Sequence, residues 1–252
     1  YFPEALGKVF DLMALNQKIT TVLFDLDGTL LPMDEKKFIK AYFGELAKKG
    51  AEYGYSDGEK LTAAVWKGTG AMAKNDGSAK NVERFWQVFA GEMGQEALKL
   101  RPVFDRFYAE EFDRVKDSVG ENPLAAGAVR GLREKGYSVI LATNPLFPAV
   151  AVKTRLSWIG LAPEDFLEIT SYEEYSFCKP NPAYFGQILE RTGKRPEECL
   201  MVGNDAAEDL ASLELGLEAY LVTDCLINRE NRELSGIKHG SFADFCELAE
   251  LC

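Results

Sequence analysis

The chain has 252 residues, enough for one large domain or two smaller ones, and its 46% hydrophobic and 27% charged content is that of an ordinary globular protein. A formal net charge of −11 argues against non-specific binding to nucleic acid or to anionic membranes, yet leaves room for a small anionic substrate held by a local positive site. No apolar run approaches the ~20 residues of a membrane span, and no signal peptide is apparent. The five cysteines (Cys178, Cys199, Cys225, Cys246, Cys252) form no Cys-x-x-Cys pair and no zinc spacing, so reduced thiols in a cytoplasmic protein are expected. The single histidine, His239, excludes most histidine-based metal sites and reads as a surface residue.

Residues 1–18 read as an N-terminal extension, with a weakly amphipathic piece from Ala5 to Leu15 expected to form a short helix or an ordered tail. The apolar, β-branched run Thr21-Val22-Leu23-Phe24 then predicts a buried strand, most naturally inside a parallel sheet. It ends in two carboxylates, Asp25 and Asp27, with Gly28 behind them. Residues i and i+2 at a strand end point the same way if the extended backbone persists. Two anions side by side are costly unless they share a cation or a proton. Mg²⁺, which accepts one or two carboxylates plus water and phosphate oxygens, is the obvious partner. Gly28 allows a turn or a close approach to a ligand.

From Asp34 to about Ser118 the periodicity is helical throughout. Asp34-Glu35 open a helix carrying Phe38, Ile39, Tyr42, Phe43, Leu46 and Ala47 and stopping near Gly50–Gly54. Ser56-Asp57 cap a second with Leu61, Ala64 and Val65, weakened in its middle by Gly68 and Gly70. A third holds Val82, Phe85, Trp86 and Phe89, and a fourth Val103, Phe104, Phe107, Tyr108 and Phe112. These aromatics read as the core of a helical bundle. Gly68-Thr69-Gly70 reads either as a flexible loop over a site or as a helix break. Lys36, Lys37, Lys67, Lys74 and Arg84 are candidate substrate contacts, although a charged helical residue usually faces solvent.

After Pro123 helix and strand alternate. Helices are expected over Leu124–Lys135, Pro148–Trp158, Asn181–Thr192 and Ala206–Leu215, and strands over Tyr137–Ala142, Phe166–Ser171, Leu200–Val202 and Glu218–Thr223. A last amphipathic helix covers Phe242 to Leu251. This alternation implies βαβ units and a parallel sheet with helices on both faces. The expected fold is therefore α/β: a Rossmann-like three-layer core built from residues 19–33 and 119–252, with an all-helical cap domain, 34–118, inserted after the first strand.

Ligands of open α/β sheets bind beyond the carboxyl ends of the strands. Those ends carry Asp25 and Asp27, then Thr143 and Asn144, then Lys179 before Pro180, then Asn204, Asp205 and Asp209 in Gly203-Asn204-Asp205-Ala206-Ala207-Glu208-Asp209. Acids for Mg²⁺, with a lysine and a hydroxyl for phosphate oxygens, are the parts that phosphoryl transfer requires. Asp205 could equally cap the helix that follows it.

These motifs, D-L-D-G-T-L, T-N, K-P and G-N-D-A-A-E-D, in this order near predicted strand ends, resemble the haloacid dehalogenase-like hydrolase superfamily, phosphatase branch with a helical (C1-type) cap. The resemblance implies that Asp25 is a nucleophile forming an aspartyl-phosphate and that Asp27 is the general acid and base. It implies that Thr143 and Lys179 are catalytic groups that hold the phosphoryl group, with Asn144 and Gly28 near the substrate. It implies Mg²⁺ on Asp25, the Asp27 carbonyl, Asp205 and Asp209, the last alternatively supporting Lys179. Asn204 stands where the family often has Asp, and is a possible substitute ligand or hydrogen-bond donor. Asp27 favours a phosphatase or phosphomutase over carbon–halogen cleavage. The expected partner is a small phosphorylated metabolite. A mutase on the same scaffold, or a non-catalytic binding protein retaining the fold, stays open.

Overall fold

The computed structural model describes residues 15–251, so most of the expected Ala5–Leu15 helix lies outside the described residues. Six strands form one parallel sheet: β1 (Thr21–Phe24), β2 (Ser138–Leu141), β3 (Glu168–Ile169), β4 (Cys199–Gly203), β5 (Glu218–Val222) and β6 (Lys238–Gly240), in the order β3-β2-β1-β4-β5-β6. Between β1 and β2 come α1 (Glu35–Glu52), α2 (Gly58–Ala73), α3 (Asn81–Met93), α4 (Arg101–Glu110) and α5 (Ala125–Glu134). Then α6 (Ala149–Trp158) precedes β3, α7 (Pro182–Thr192) precedes β4, and α8 (Phe242–Leu248) follows β6.

The period-2 alternation of strand side chains makes the three layers. Val22 and Phe24 of β1, Val139 and Leu141 of β2, and Leu200 and Val202 of β4 point to one face, where α5, α6 and α8 pack with Val129, Leu156 and Phe245. Leu23, Ile140 and Met201 point to the other and meet Tyr184, Phe185 and Ile188 of α7. β1 is buried along its whole length, which is why it reads as a continuous apolar run rather than an alternating one. Each such Val, Leu or Phe contributes about 1.5–3 kcal/mol by leaving water.

Because the chain leaves β1 toward β2 and β3 and returns on its other side as β4, the carboxyl ends of β1 and β4 flank the point where strand order reverses. That is the binding crevice of open α/β sheets.

The helical insertion has its own aromatic core, with Phe38, Tyr42, Phe85, Phe107 and Phe112 buried together. That core also takes in Tyr172 and Cys178 of the α/β part. The segments where the chain enters and leaves the insertion pair with each other, Met33 with Val119, and the Gly120 amide donates to the Pro32 carbonyl at 2.7 Å.

Several expectations need correction. Gly68 and Gly70 do not break α2, which runs unbroken from Gly58 to Ala73. A Cβ on Gly68 would meet the Phe85 ring at 2.6 Å, so this glycine exists for close packing of α2 on α3. No α-helix spans 206–215: it is replaced by turns and a 3-10 segment, Leu210–Leu215. There the backbone turns instead to Ile227, whose carbonyl accepts from Ala206 at 2.8 Å and whose amide donates to Asn204 at 2.8 Å. β3 is two residues long, and β6, which carries the exposed His239, was not expected.

Candidate active site

The groups predicted at separate strand ends converge at the β1–β4 crevice. The Lys179 ammonium, 2% exposed, lies 2.9 Å from Asp25 Oδ1 and 2.7 Å from Asp209 Oδ1. The other Asp209 oxygen accepts from the Asp205 amide at 2.9 Å. Gly203 makes this possible, since a Cβ there would stand 2.1 Å from Asp209 Oδ2. Asp209 is thus turned onto Lys179 and the strand end. Asp205 and Asp25 line a cavity of about 250 Å³, together with Asp27, Thr143, Asn144 and Asn204. One Asp205 oxygen accepts from the Ala207 and Glu208 amides at 2.8 and 3.0 Å. With no α-helix following, these bonds hold a local turn rather than cap a helix, and the cavity-facing position of Asp205 coexists with them.

Thr143 is buried on the cavity wall and held by its carbonyl, which accepts from the Thr170 and Tyr184 hydroxyls at 2.5 and 2.9 Å. Asn144 donates to Glu208 Oε2 at 3.0 Å and to the Lys179 carbonyl at 3.4 Å. Gly28, expected near the substrate, has another role: its amide donates to the Leu31 carbonyl at 2.7 Å, inside the turn. Its φ of 95° is a left-handed value that favours glycine, and a Cβ would lie 2.2 Å from Asn204 Nδ2. The Asn204 side chain fills that space. It donates to the Cys225 carbonyl at 2.8 Å and accepts from the Thr29 hydroxyl at 3.1 Å.

Burial raises the Asp25 carboxyl above its usual range, despite the Lys179 ammonium that opposes the rise. Burial also pushes Asp209 up to about 6 and Glu208 up to about 8, again against Lys179. For Lys179 itself burial works toward deprotonation, but Asp209 and Asp25 outweigh it and hold the ammonium well above the usual lysine range. Acids thus outnumber cations on a desolvated floor. A buried Asp27 oxygen, Oδ1, has no hydrogen-bond partner. An oxygen-only donor set with surplus negative charge and open space beside it fits Mg²⁺, a hard cation that keeps several waters. Among the described residues no three His, Cys, Asp or Glu side chains form a ready-made metal cage, a feature Mg²⁺ does not require.

Sequence reasoning missed Arg155. This fully buried guanidinium on α6 pairs with Asp27 Oδ2 and lies over the Phe147 ring, 4.6 Å from its centroid. Nothing local marks it, since its partner is 128 positions away. Glu208, which lines the cavity, is a second residue that sequence reasoning missed, although its i, i+3 spacing from Asp205 is the signal of a shared face on a helix. The candidate cations of the insertion are not among the cavity-lining residues. Lys37 donates to the Asp117 carbonyl, Lys67 pairs with Glu92, and Arg84 with Asp76.

Comparison with known proteins accords with this geometry. Residues 19–215 match the model of the haloacid dehalogenase-like hydrolases, so the chain belongs to that family. It is 27% identical to a glyceraldehyde 3-phosphate phosphatase of Methanothermobacter thermautotrophicus over 92% of this chain and 99% of the relative. It is 29% identical to a ribulose-1,5-bisphosphate 5-phosphatase of Halopiger xanaduensis, covering 80% and 84%, and 25% identical to a phosphoglycolate phosphatase of Vibrio vulnificus, covering 82% and 85%. Among solved structures, a predicted phosphoglycolate phosphatase from Haemophilus somnus shares the fold, with a TM-score of 0.57 and 17% identity over 92% of this chain and 98% of the other. Within the family the chain stands in the phosphatase branch.

Proposed function

We propose that this protein is a Mg²⁺-dependent phosphatase that hydrolyses a small phosphorylated metabolite through an aspartyl-phosphate. The observation that carries this reading is the buried Asp25–Lys179–Asp209 chain on the cavity floor. It supplies a carboxylate oxygen facing the cavity and a cation beside it that is itself held from behind.

Asp25 attacks phosphorus, forming an Asp25–O–P bond as the bond to the leaving oxygen breaks. Asp27 donates its proton to that leaving alkoxide. Asp27 then takes a proton from water, whose oxygen attacks phosphorus and expels the Asp25 carboxylate, releasing inorganic phosphate. Thr143 and Lys179 bind the transferring group. Arg155, paired with Asp27 Oδ2, fixes the orientation of the Asp27 carboxylate for both steps. Asp25, the Asp27 carbonyl and Asp205 would hold Mg²⁺, which when bound offsets negative charge on the phosphoryl oxygens. Asp209 supports Lys179 rather than the metal, and the helical insertion serves as the cap. The setting is cytoplasmic, in keeping with the buried thiols of Cys178 and Cys199.

The test is phosphate release from p-nitrophenyl phosphate with and without Mg²⁺, in wild type and Asp25→Asn. Turnover should require Mg²⁺ and fall by roughly a thousandfold or more in the variant. Turnover that survives Asp25→Asn in contaminant-free protein would sink the covalent assignment. Phosphoryl transfer to a second hydroxyl in place of release would make the protein a mutase.

A further inference from the structure

Above the carboxylate floor the cavity changes character. It rises between α1 and α2 of the insertion and the loop that holds Leu146 and Phe147. Ile39 and Phe43 come from successive turns of α1, Val65, Trp66 and Thr69 from α2, and Phe85 from α3. Phe43 and Ile39 are half-buried, and Trp66, 47% exposed, stands at the rim with its ring 5.3 Å from that of Phe43. Large apolar side chains left exposed around a concavity mark a binding surface rather than a core.

Charge is distributed unevenly along this cavity. Among the residues that line it, the insertion contributes one charged group, Glu35, and that carboxylate is paired with Arg229 at 2.6 Å. Arg229 is also 3.9 Å from Asp205, so two acids already face it. Lys37, Lys67 and Arg84 are engaged elsewhere, and Lys36 and Lys74 are not among the residues that line the cavity. A second phosphate or carboxylate on a substrate, remote from the one at Asp25, would therefore enter an apolar chamber without a partner, which is costly. The upper wall is not wholly apolar: Thr69 and Tyr172 line it, and the Tyr42 and Tyr108 hydroxyls lie 2.6 Å apart. Two hydroxyls joined by one bond keep one hydrogen to donate.

Resting on the phosphatase reading, we infer that the substrate is a phosphate monoester of a small apolar alcohol, preferably one with an aromatic ring, and that it carries no second anionic group. The ring packs among Phe43, Trp66, Val65 and Phe85 while its phosphate reaches Asp25. At about 250 Å³, floor included, the whole cavity is smaller than the roughly 300–1,000 Å³ that drug-sized ligands fill. It suits one ring or a short chain and not a nucleotide. This separates the chain from its relatives named for phosphoglycolate and ribulose-1,5-bisphosphate, compounds that carry a second anionic group.

The experiment compares kcat/KM with Mg²⁺ for 2-phenylethyl phosphate, glycerol 3-phosphate and phosphoglycolate, all esters of primary alcohols. The phenylethyl ester should lead by about tenfold or more. Phe43→Ala and Trp66→Ala, checked for folding by circular dichroism and melting temperature, should shrink that lead, mainly through KM. A lead for glycerol 3-phosphate or phosphoglycolate overturns the inference and leaves the phosphatase reading standing. Isothermal titration with 3-phenylpropylphosphonate and methylphosphonate reads the chamber independently of turnover. Tighter binding of the phenyl compound supports the inference even if no ester is hydrolysed, and equal affinity overturns it.

Discussion

The Asn204 carboxamide uses both of its ends, donating to Cys225 and accepting from Thr29. An aspartate there has no N–H to donate, so its oxygen would oppose the Cys225 carbonyl and add a further carboxylate to a floor that already holds Asp25, Asp27, Asp205, Glu208 and Asp209. Asn204→Asp should therefore destabilise the fold by about 1–3 kcal/mol, read as a lower urea midpoint. If the midpoint is unchanged or higher, the carboxamide wiring has no energetic weight. Arg155 makes a second residue-level case. Arg155→Met keeps much of the volume but leaves Asp27 facing no cation. A loss of about 2–4 kcal/mol is expected, short of a fully buried pair because Asp27 is 27% exposed. The same denaturation series checks it.

Helix α2 offers a paired test at the level of elements. Gly68 and Gly70 are both interior to it, and both cost helix propensity relative to alanine. A methyl group on Gly70 would have nothing within 4 Å of it, whereas Gly68 would drive a Cβ into Phe85. Gly70→Ala should stabilise by about 0.5–1 kcal/mol and Gly68→Ala should destabilise by about 1–3 kcal/mol. Melting temperatures moving in the same direction would contradict the packing argument. The pair also shows what could be read from sequence. Two glycines look alike in a one-dimensional pattern, and only the α2–α3 contact tells them apart. The strands β1, β2, β4 and β5 were legible because burial on both faces demands unbroken apolar runs. β6 was not, because Lys238-His239-Gly240 pairs on one edge only and has no apolar face to advertise. The strand-end groups Asp25, Thr143, Lys179, Asp205 and Asp209 were legible since parallel topology alone brings such ends together. Arg155 and the Asn204 wiring were not, since both depend on side-chain reach across elements.

At the scale of the whole molecule, a net charge of −11 adds to the acid excess of the floor. Mg²⁺ that binds the folded state alone should raise stability by about 2.7 kcal/mol at a hundred times its dissociation constant. Chelation with EDTA should reverse that gain, and Asp205→Asn should diminish it. A melting temperature indifferent to Mg²⁺ in wild type would argue against a metal on this floor.

The helical insertion is fastened unequally around its perimeter. At the start of α3 the Asn81 and Val82 amides donate to the Tyr175 and Tyr172 carbonyls at 2.9 Å each, and the Lys80 ammonium reaches the Glu174 carbonyl. Asn81 Nδ2 also reaches Pro145 at 3.3 Å. At the opposite side, where α1 and Trp66 border the mouth, the ionic contact across the gap is Glu35 with Arg229, both more than half exposed. Main-chain bonds hold in any salt, while an exposed ion pair weakens as ions are added. The insertion thus has a jamb and a latch. Added salt should loosen the latch, Glu35 with Arg229, and leave the main-chain bonds of the jamb at α3 in place.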